Sequence, residues 1–162
     1  MSHRLYLLRH AKSSWDHPEL ADHDRPLAKR GRRATKALAR YLREHDIAPE
    51  LVLCSTARRA RETLEGIELA APDVRHESEL YGASARELME RLREVPDEVG
   101  SVMVIGHNPG IEDLAVALLG HAPAAKYPTG ALAALELPGT WDDVDRDGAQ
   151  LVSFVRPRDL ED

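Results

Sequence analysis

A single cysteine, Cys54, stands in 162 residues. A lone thiol excludes an intramolecular disulfide, and a reducing cytoplasm is the simplest home for such a chain. Long apolar runs are missing too: nothing approaches the roughly 20 residues that a helix needs to span a bilayer. Met1-Ser2-His3-Arg4 leads straight into an apolar segment, so no signal peptide is expected. Excess positive charge is absent: 22 Lys and Arg against 28 Asp and Glu leave a formal net charge of -6, which argues against general nucleic-acid affinity. Metal-ligand spacing is absent as well, since His3, His17, His23, His45, His76 and His121 form no compact set and read as surface or packing residues. No repeat, low-complexity stretch or linker breaks the chain. What remains is one expected domain over residues 1–162, 43 % hydrophobic and 31 % charged, long enough to bury a real core.

Charge is unevenly spread along that chain. Arg9, Arg25, Arg58, Arg59 and Arg61 are among ten cations crowding the first half, whereas Asp142, Asp143, Asp145, Asp147, Asp159, Glu161 and Asp162 gather near the C-terminus. A cationic region on an acidic protein suits an anionic ligand at a focused site, although solvated helix faces account equally well for most of these residues.

Apolar runs at 5–8, 51–54 and 102–105 read as strands covered on both faces, and Val74 anchors a short edge strand. Between them the 3.6-residue period predicts helices over about 26–44, starting at Pro26, and about 57–69, with Ser55 as N-cap. Ser84 and Glu87 form a capping box for the next helix, and a last helix over 111–119 stops at Gly120. Residues 131–137 and 151–155 look like two closing strands. Strands alternating with helices imply an α/β sandwich with a mostly parallel sheet.

Three of the strands end in chemistry. The first runs into Arg9-His10-Ala11-Lys12-Ser13-Ser14-Trp15-Asp16, the second into Ser55-Thr56-Ala57-Arg58-Arg59-Ala60-Arg61-Glu62-Thr63, and the third into Gly106-His107-Asn108-Pro109-Gly110. Open α/β sheets bind ligands at the C-terminal ends of their strands. A helix start offers free N–H groups to a phosphate, and arginines there add charge-assisted, bidentate contacts. An imidazole can serve as nucleophile or proton carrier. Each signal has a bland counterpart: a strand-end histidine bonded to backbone, a turn residue before Asn-Pro, a solvated helix arginine. Together they favour an enzyme. Cys54 is not its nucleophile, because the Cys-x5-Arg loop of cysteine phosphatases would need arginine where Ala60 stands. Asp22-His23-Asp24 follows no apolar strand and reads as a cap or surface turn.

These segments resemble the histidine phosphatase (phosphoglycerate-mutase-like) superfamily over nearly the whole chain. Its Arg-His-Gly hallmark stands here as Arg9-His10-Ala11, its Ser-x-x-x-Arg-Ala-x-x-Thr as Ser55, Arg59, Ala60 and Thr63, and its late Gly-His as Gly106-His107. Arg-His-Ala, Asp24-Arg25-Pro26-Leu27…Gly31 and Gly-His-Asn-Pro-Gly look most like the short SixA-type phosphohistidine phosphatases. The resemblance implies a three-layer α/β sandwich with helices on both faces. It also implies no large cap insertion, because Tyr81-Gly82-Ala83-Ser84 passes directly into a helix. An uncapped site would be shallow and suit a phosphorylated protein side chain.

The same resemblance implies that His10 attacks phosphorus while Arg9, Arg59 and His107 hold the oxygens, with no metal or other cofactor. Ser13, Trp15 and Asn108 are weaker substrate-binding candidates. One departure stands out: many relatives place a glutamate general acid where this chain has Ser78, leaving Glu77 and Glu79 as possible acids. A phosphohistidine leaving group can depart already protonated, so the departure disfavours alkyl phosphate esters. The expected protein is a monomeric cytoplasmic phosphatase without nucleic-acid or membrane partners. Its rivals are a small-molecule (sugar or nucleotide) phosphomonoesterase of the same family and a non-catalytic phosphate-binding interaction module.

Overall fold

The computed structural model describes residues 2–160, so Met1 and the acidic Glu161 and Asp162 lie outside the described residues. Its first strand, β1 (Ser2–Arg9), buries Leu5, Leu7 and Leu8 completely. Consecutive buried residues arise because both faces of the strand are covered, each face taking alternate side chains. Leu5 and Leu7 enter one core with Leu51, Leu53, Val102 and Val104, while Tyr6 and Leu8 enter the other with Val52, Cys54, Met103 and Ile105. Burying each such side chain contributes about 1.5–3 kcal/mol.

The remaining strands are β2 (Leu51–Ser55), β3 (Asp73–Glu77), β4 (Ser101–Gly106), β5 (Leu132–Pro138) and β6 (Gln150–Val155). They form one mixed sheet in the order β3-β2-β4-β1-β5-β6. The first four in that order run parallel, and the two closing strands pair antiparallel. Helices α1 (Lys29–Glu44), α2 (Arg58–Ile67) and the short α5 (Pro157–Leu160) contribute to the Tyr6/Leu8 core; α3 (Ala85–Arg93) and α4 (Gly110–Leu119) cover the other face. The architecture is thus an α/β sandwich with helices on both faces. No helix of the described residues is long and apolar enough to cross a membrane.

Two helix starts differ from their sequence reading, each for a local reason. α1 begins at Lys29 rather than Pro26 because the preceding residues pair with the loop after β1: the Pro26 carbonyl accepts from the Ser14 N–H at 2.8 Å, and Leu27 bridges Ser13. Ser55 is not an N-cap. It is still extended as the last residue of β2, and Ala57 caps α2 without a side-chain bond. The other signals stand: Ser84 and Glu87 make both capping-box bonds, and Gly120 ends α4 in the left-handed region at φ 82°.

Two glycines let helices approach the loops that shape the catalytic edge. A Cβ on Gly31 would lie 2.1 Å from the Lys12 carbonyl oxygen, which accepts from the Ala28 N–H at the start of α1. A Cβ on Gly110 would lie 2.1 Å from the Ala83 carbonyl oxygen, against the loop entering α3. Neither backbone approach survives a side chain.

Candidate active site

At the C-terminal edge of the sheet β1 delivers Arg9 and His10, β2 delivers Ser55, and β4, lying between them, delivers His107. The His10 N–H still bonds the Gly106 carbonyl at 3.0 Å, which carries strand pairing one residue further and holds the histidine at the edge. The rings of His10 and His107 lie 5.1 Å apart at 54°.

His10 is 6 % exposed, and its hydrogen bonds define its tautomer. Nδ1 lies 2.8 Å from the Ala11 carbonyl oxygen, an acceptor, so Nδ1 carries the proton. Nε2 is then a lone pair, and the Arg59 Nε–H points to it at 3.4 Å. Burial first, then the charges of His107, Arg59 and Arg9, push the ring down to about 3, against the opposing pull of the Ala11 carbonyl. The ring is neutral near pH 7, with a nucleophilic nitrogen at the pocket.

Arg59 sits in the first turn of α2 and is 6 % exposed. Its neighbours face outward: Arg58 pairs with Glu62 at 3.0 Å, and Arg61 donates to the Thr56 carbonyl. Thr63 one turn later is fully buried, donating to the Arg59 carbonyl at 2.7 Å and accepting from the Ala11 N–H at 2.9 Å. It ties the arginine's helix to the histidine's loop. Arg9 donates from Nη1 to the Tyr127 carbonyl at 2.9 Å, and its charge lowers the pKa of both histidines.

The buried Ser55 hydroxyl accepts from the Ala57 N–H and bonds His107 Nε2 at 2.8 Å, orienting that ring. Burial, then Arg59, lowers His107 to about 4. Three side-chain polar atoms among the described residues are buried without a hydrogen-bond partner, and two belong here: Arg9 Nε and His107 Nδ1. An orphaned buried polar group costs about 1–3 kcal/mol. Concentrating two of them beside a buried arginine favours an anionic ligand.

The weaker sequence candidates are placed differently. Asn108 spends its amide on structure, donating to the Tyr127 carbonyl and Glu112 and accepting from the Glu112 N–H. Ser13 accepts from Arg25 Nη1 at 2.9 Å, and Trp15, 70 % exposed, packs its ring under the Arg25 guanidinium at 3.6 Å. Both support Arg25 rather than reach the pocket. Glu77 forms a two-pronged pair with Arg91 at 2.7 and 2.9 Å, and the exposed Glu79 acts electrostatically on the same arginine. Neither is hydrogen-bonded to His10, Arg9, Arg59 or His107. Burial raises the Cys54 thiol to about 12, consistent with an inert core residue.

The carboxylate that does reach the site is Asp22, which sequence reasoning assigned to a cap or surface turn. Oδ2 accepts from Arg59 Nη2 at 3.0 Å and from the Tyr81 hydroxyl at 2.5 Å, while Oδ1 accepts from Arg25 Nε at 3.1 Å. The Asp22 carbonyl takes a further bond from Arg59 Nη1 at 2.7 Å. Tyr81 sets its ring edge-on to His107 at 5.4 Å. The available sequence signal is the three-residue spacing of Asp22 and Arg25 across one turn. Tyr81, 59 positions away, has no local signal at all.

Residues 5–98 match the family model of the histidine phosphatase superfamily (branch 1). The chain is 39 % identical to an uncharacterized protein of Mycobacterium leprae, over 93 % of this chain and all of the other. Among solved structures, one from Nakamurella multipartitia assigned as phosphohistidine phosphatase SixA superposes with a TM-score of 0.86 at 33 % identity, covering 97 % of each chain. The protein histidine phosphatase SixA complexed with tungstate superposes at 0.84 and 26 % identity, covering 98 % of this chain and 99 % of that one.

Proposed function

The chain belongs to the histidine phosphatase superfamily and is a histidine-nucleophile phosphatase, and we propose that it removes phosphate from phosphohistidine on a protein through a phospho-His10 intermediate. One observation carries the assignment of the nucleophile. The Ala11 carbonyl holds the proton on Nδ1, which leaves the Nε2 lone pair beside Arg59 and facing His107. Attack by Nε2 forms a P–N bond as the P–N bond to the substrate's imidazole breaks, splitting one difficult hydrolysis into two displacements. Arg59, with the unspent Arg9 Nε and His107 Nδ1, supplies donors for the equatorial oxygens. Phospho-His10 keeps its Nδ1 proton. When water attacks phosphorus, the P–N bond pair returns to Nε2, His10 leaves neutral and both water protons remain with the phosphate.

Two further features support a protein substrate. The segment joining β3 to α3 is short, and Tyr81, the aromatic edge-on to His107, is 38 % exposed. A relative of this fold binds tungstate, a tetrahedral oxyanion like phosphate.

The test is to mix the enzyme with a histidine-phosphorylated protein, quench rapidly and map the phosphoryl group by mass spectrometry. An acid-labile, base-stable phosphate on His10 is expected, with turnover exceeding that on sugar and nucleotide monophosphates. Faster hydrolysis of those monoesters would assign a small-molecule substrate instead. Tight binding of the phosphoprotein without a phosphoenzyme would make the chain a binding module.

A further inference from the structure

Among the described residues, Asp22 supplies the one carboxylate hydrogen-bonded to a proposed catalytic side chain. Its position is tied to the nucleophile through a single guanidinium: Arg59 Nε lies 3.4 Å from His10 Nε2, and Arg59 Nη2 lies 3.0 Å from Asp22 Oδ2. The carboxylate therefore stands one guanidinium width beyond the attacking nitrogen, on the pocket side marked by the half-exposed Tyr81. The charged and titratable groups around it are Arg25 and His23 from its own loop, the latter edge-on to Tyr81 at 4.9 Å, Arg59 from α2, Tyr81 from the loop entering α3, and His107 after β4. The Tyr81 hydrogen bond first, then Arg59 and Arg25, hold this carboxyl well below the usual carboxylate range. It is ionised near neutral pH, with no proton to give an ester oxygen.

We propose that Asp22 acts as a hydrogen-bond acceptor for the leaving group, holding the proton on the distal ring nitrogen of a phosphorylated imidazole and so selecting phosphohistidine over phosphate esters. The chemistry rests on the function proposed above. If the distal nitrogen is bare, breaking the P–N bond expels an imidazolide, a strongly basic anion. If it carries a proton, the bond pair moves onto the ring nitrogen and neutral imidazole departs, with the proton staying where it was. A carboxylate at that nitrogen favours the protonated ring through a charge-assisted hydrogen bond.

The enzyme's own half of the reaction uses the same device. Phospho-His10 is also a phosphorylated imidazole, and the Ala11 carbonyl sits on its distal nitrogen at 2.8 Å. Each P–N bond in the cycle then breaks from a ring whose far nitrogen is held protonated by an oxygen acceptor. An alkyl phosphate has no second nitrogen and gains nothing from Asp22. That accounts for a site in which Glu77 is paired with Arg91 and Glu79 makes no hydrogen bond to the pocket residues.

Asp22→Asn keeps the shape and an acceptor for Arg59 but removes the charge. The measurement compares kcat/KM for a histidine-phosphorylated protein with that for p-nitrophenyl phosphate, whose phenolate departs without a proton. The ratio should fall about 10²-fold, the low end for losing a proton-handling group, with kcat carrying the loss. The alkaline limb of the phosphohistidine rate profile should move to lower pH, because the substrate ring must then find its proton unaided. Asp22→Glu should recover part of the ratio. Equal losses on both substrates would reduce Asp22 to a support for Arg59 and overturn the proposal, as would an unshifted alkaline limb. Failure of the wild-type enzyme to turn over phosphohistidine while cleaving p-nitrophenyl phosphate would instead defeat the substrate assignment itself.

Discussion

β1 carries a buried histidine at each end, and the two differ in what their nitrogens meet. His3 is 4 % exposed and His10 6 %. At the N-terminal end, His3 Nδ1 lies 2.6 Å from the Gly139 carbonyl oxygen and Nε2 2.9 Å from that of Asp97, with the ring against Trp141 at 4.9 Å. Both nitrogens are closed off by backbone carbonyls. At the C-terminal end, one nitrogen of His10 is spent on Ala11, and the other meets only a guanidinium at 3.4 Å. Burial is the same, yet His10 Nε2 is held only by a long bond from the Arg59 side chain, whereas both nitrogens of His3 face backbone carbonyls. Function follows the nitrogen that a side chain can release to a substrate.

Alanine substitution at the two ends gives the largest expected contrast. His10→Ala should lower turnover by roughly 10⁴-fold or more, as loss of a covalent nucleophile does, with a stability change below about 1 kcal/mol. His3→Ala should leave kcat within about twofold but cost roughly 2–4 kcal/mol in urea unfolding, for a cavity under Trp141 and two stranded carbonyls. A folded His3→Ala protein that has lost its activity would break the comparison.

The arginines of α2 repeat the contrast on a smaller scale. Arg59→Ala should lower kcat about 10²–10³-fold, the range for removing one oxyanion donor, and Arg58→Ala about twofold or less. Arg58 is a solvent-exposed i, i+4 partner of Glu62, a pair worth only about 0.3–0.5 kcal/mol. Equal losses would mean that the wrong arginine has been placed in the pocket.

Acid should expose the cost of the catalytic end. The folded rings of His10 and His107 are held at about 3 and about 4, whereas an unperturbed imidazole takes its proton near 6.5. Below 6.5 the unfolded chain binds protons that the folded chain refuses. Their full contribution to stability is therefore present above pH 6.5. It erodes as pH falls, down to about 4 for His107 and about 3 for His10, by at most about 1.4 kcal/mol per pH unit for each ring. Urea midpoints between pH 7 and 4.5 should fall less steeply in His10→Ala than in wild type. Parallel slopes would show that the native ring titrates normally.

How much of this was legible in the sequence depends on how local each signal is. The fully buried strands, the capping box at Ser84 and the stop at Gly120 each rest on neighbouring residues, and the structure keeps them. Arg9, His10 and His107 were legible from their places at strand ends that the sheet order brings together, whereas Arg59 was told from Arg58 and Arg61 only by the family resemblance. Asp22 and Tyr81 were not legible, since their meeting brings together two loops 59 positions apart in the chain. Glu77 shows the converse error: sequence proximity to an expected acid says nothing about a competing arginine one helix away.

The two serines read as helix caps give the smallest contrast and separate local from tertiary signals. Ser84 makes the capping-box bond to the Glu87 N–H at 3.1 Å on an exposed helix end. Ser84→Ala should cost about 1 kcal/mol of stability and leave kcat unchanged. Ser55 is wholly buried and divides its hydroxyl between the Ala57 N–H and His107 Nε2. Ser55→Ala frees the imidazole that should hold a phosphoryl oxygen, so kcat/KM should drop roughly 10-fold, the low end for loss of an orienting partner. Steady-state kinetics and thermal melts on the two variants decide it. A catalytic loss at Ser84 would break the contrast between the two serines, and none at Ser55 would mean that His107 does not need its serine to face the phosphate.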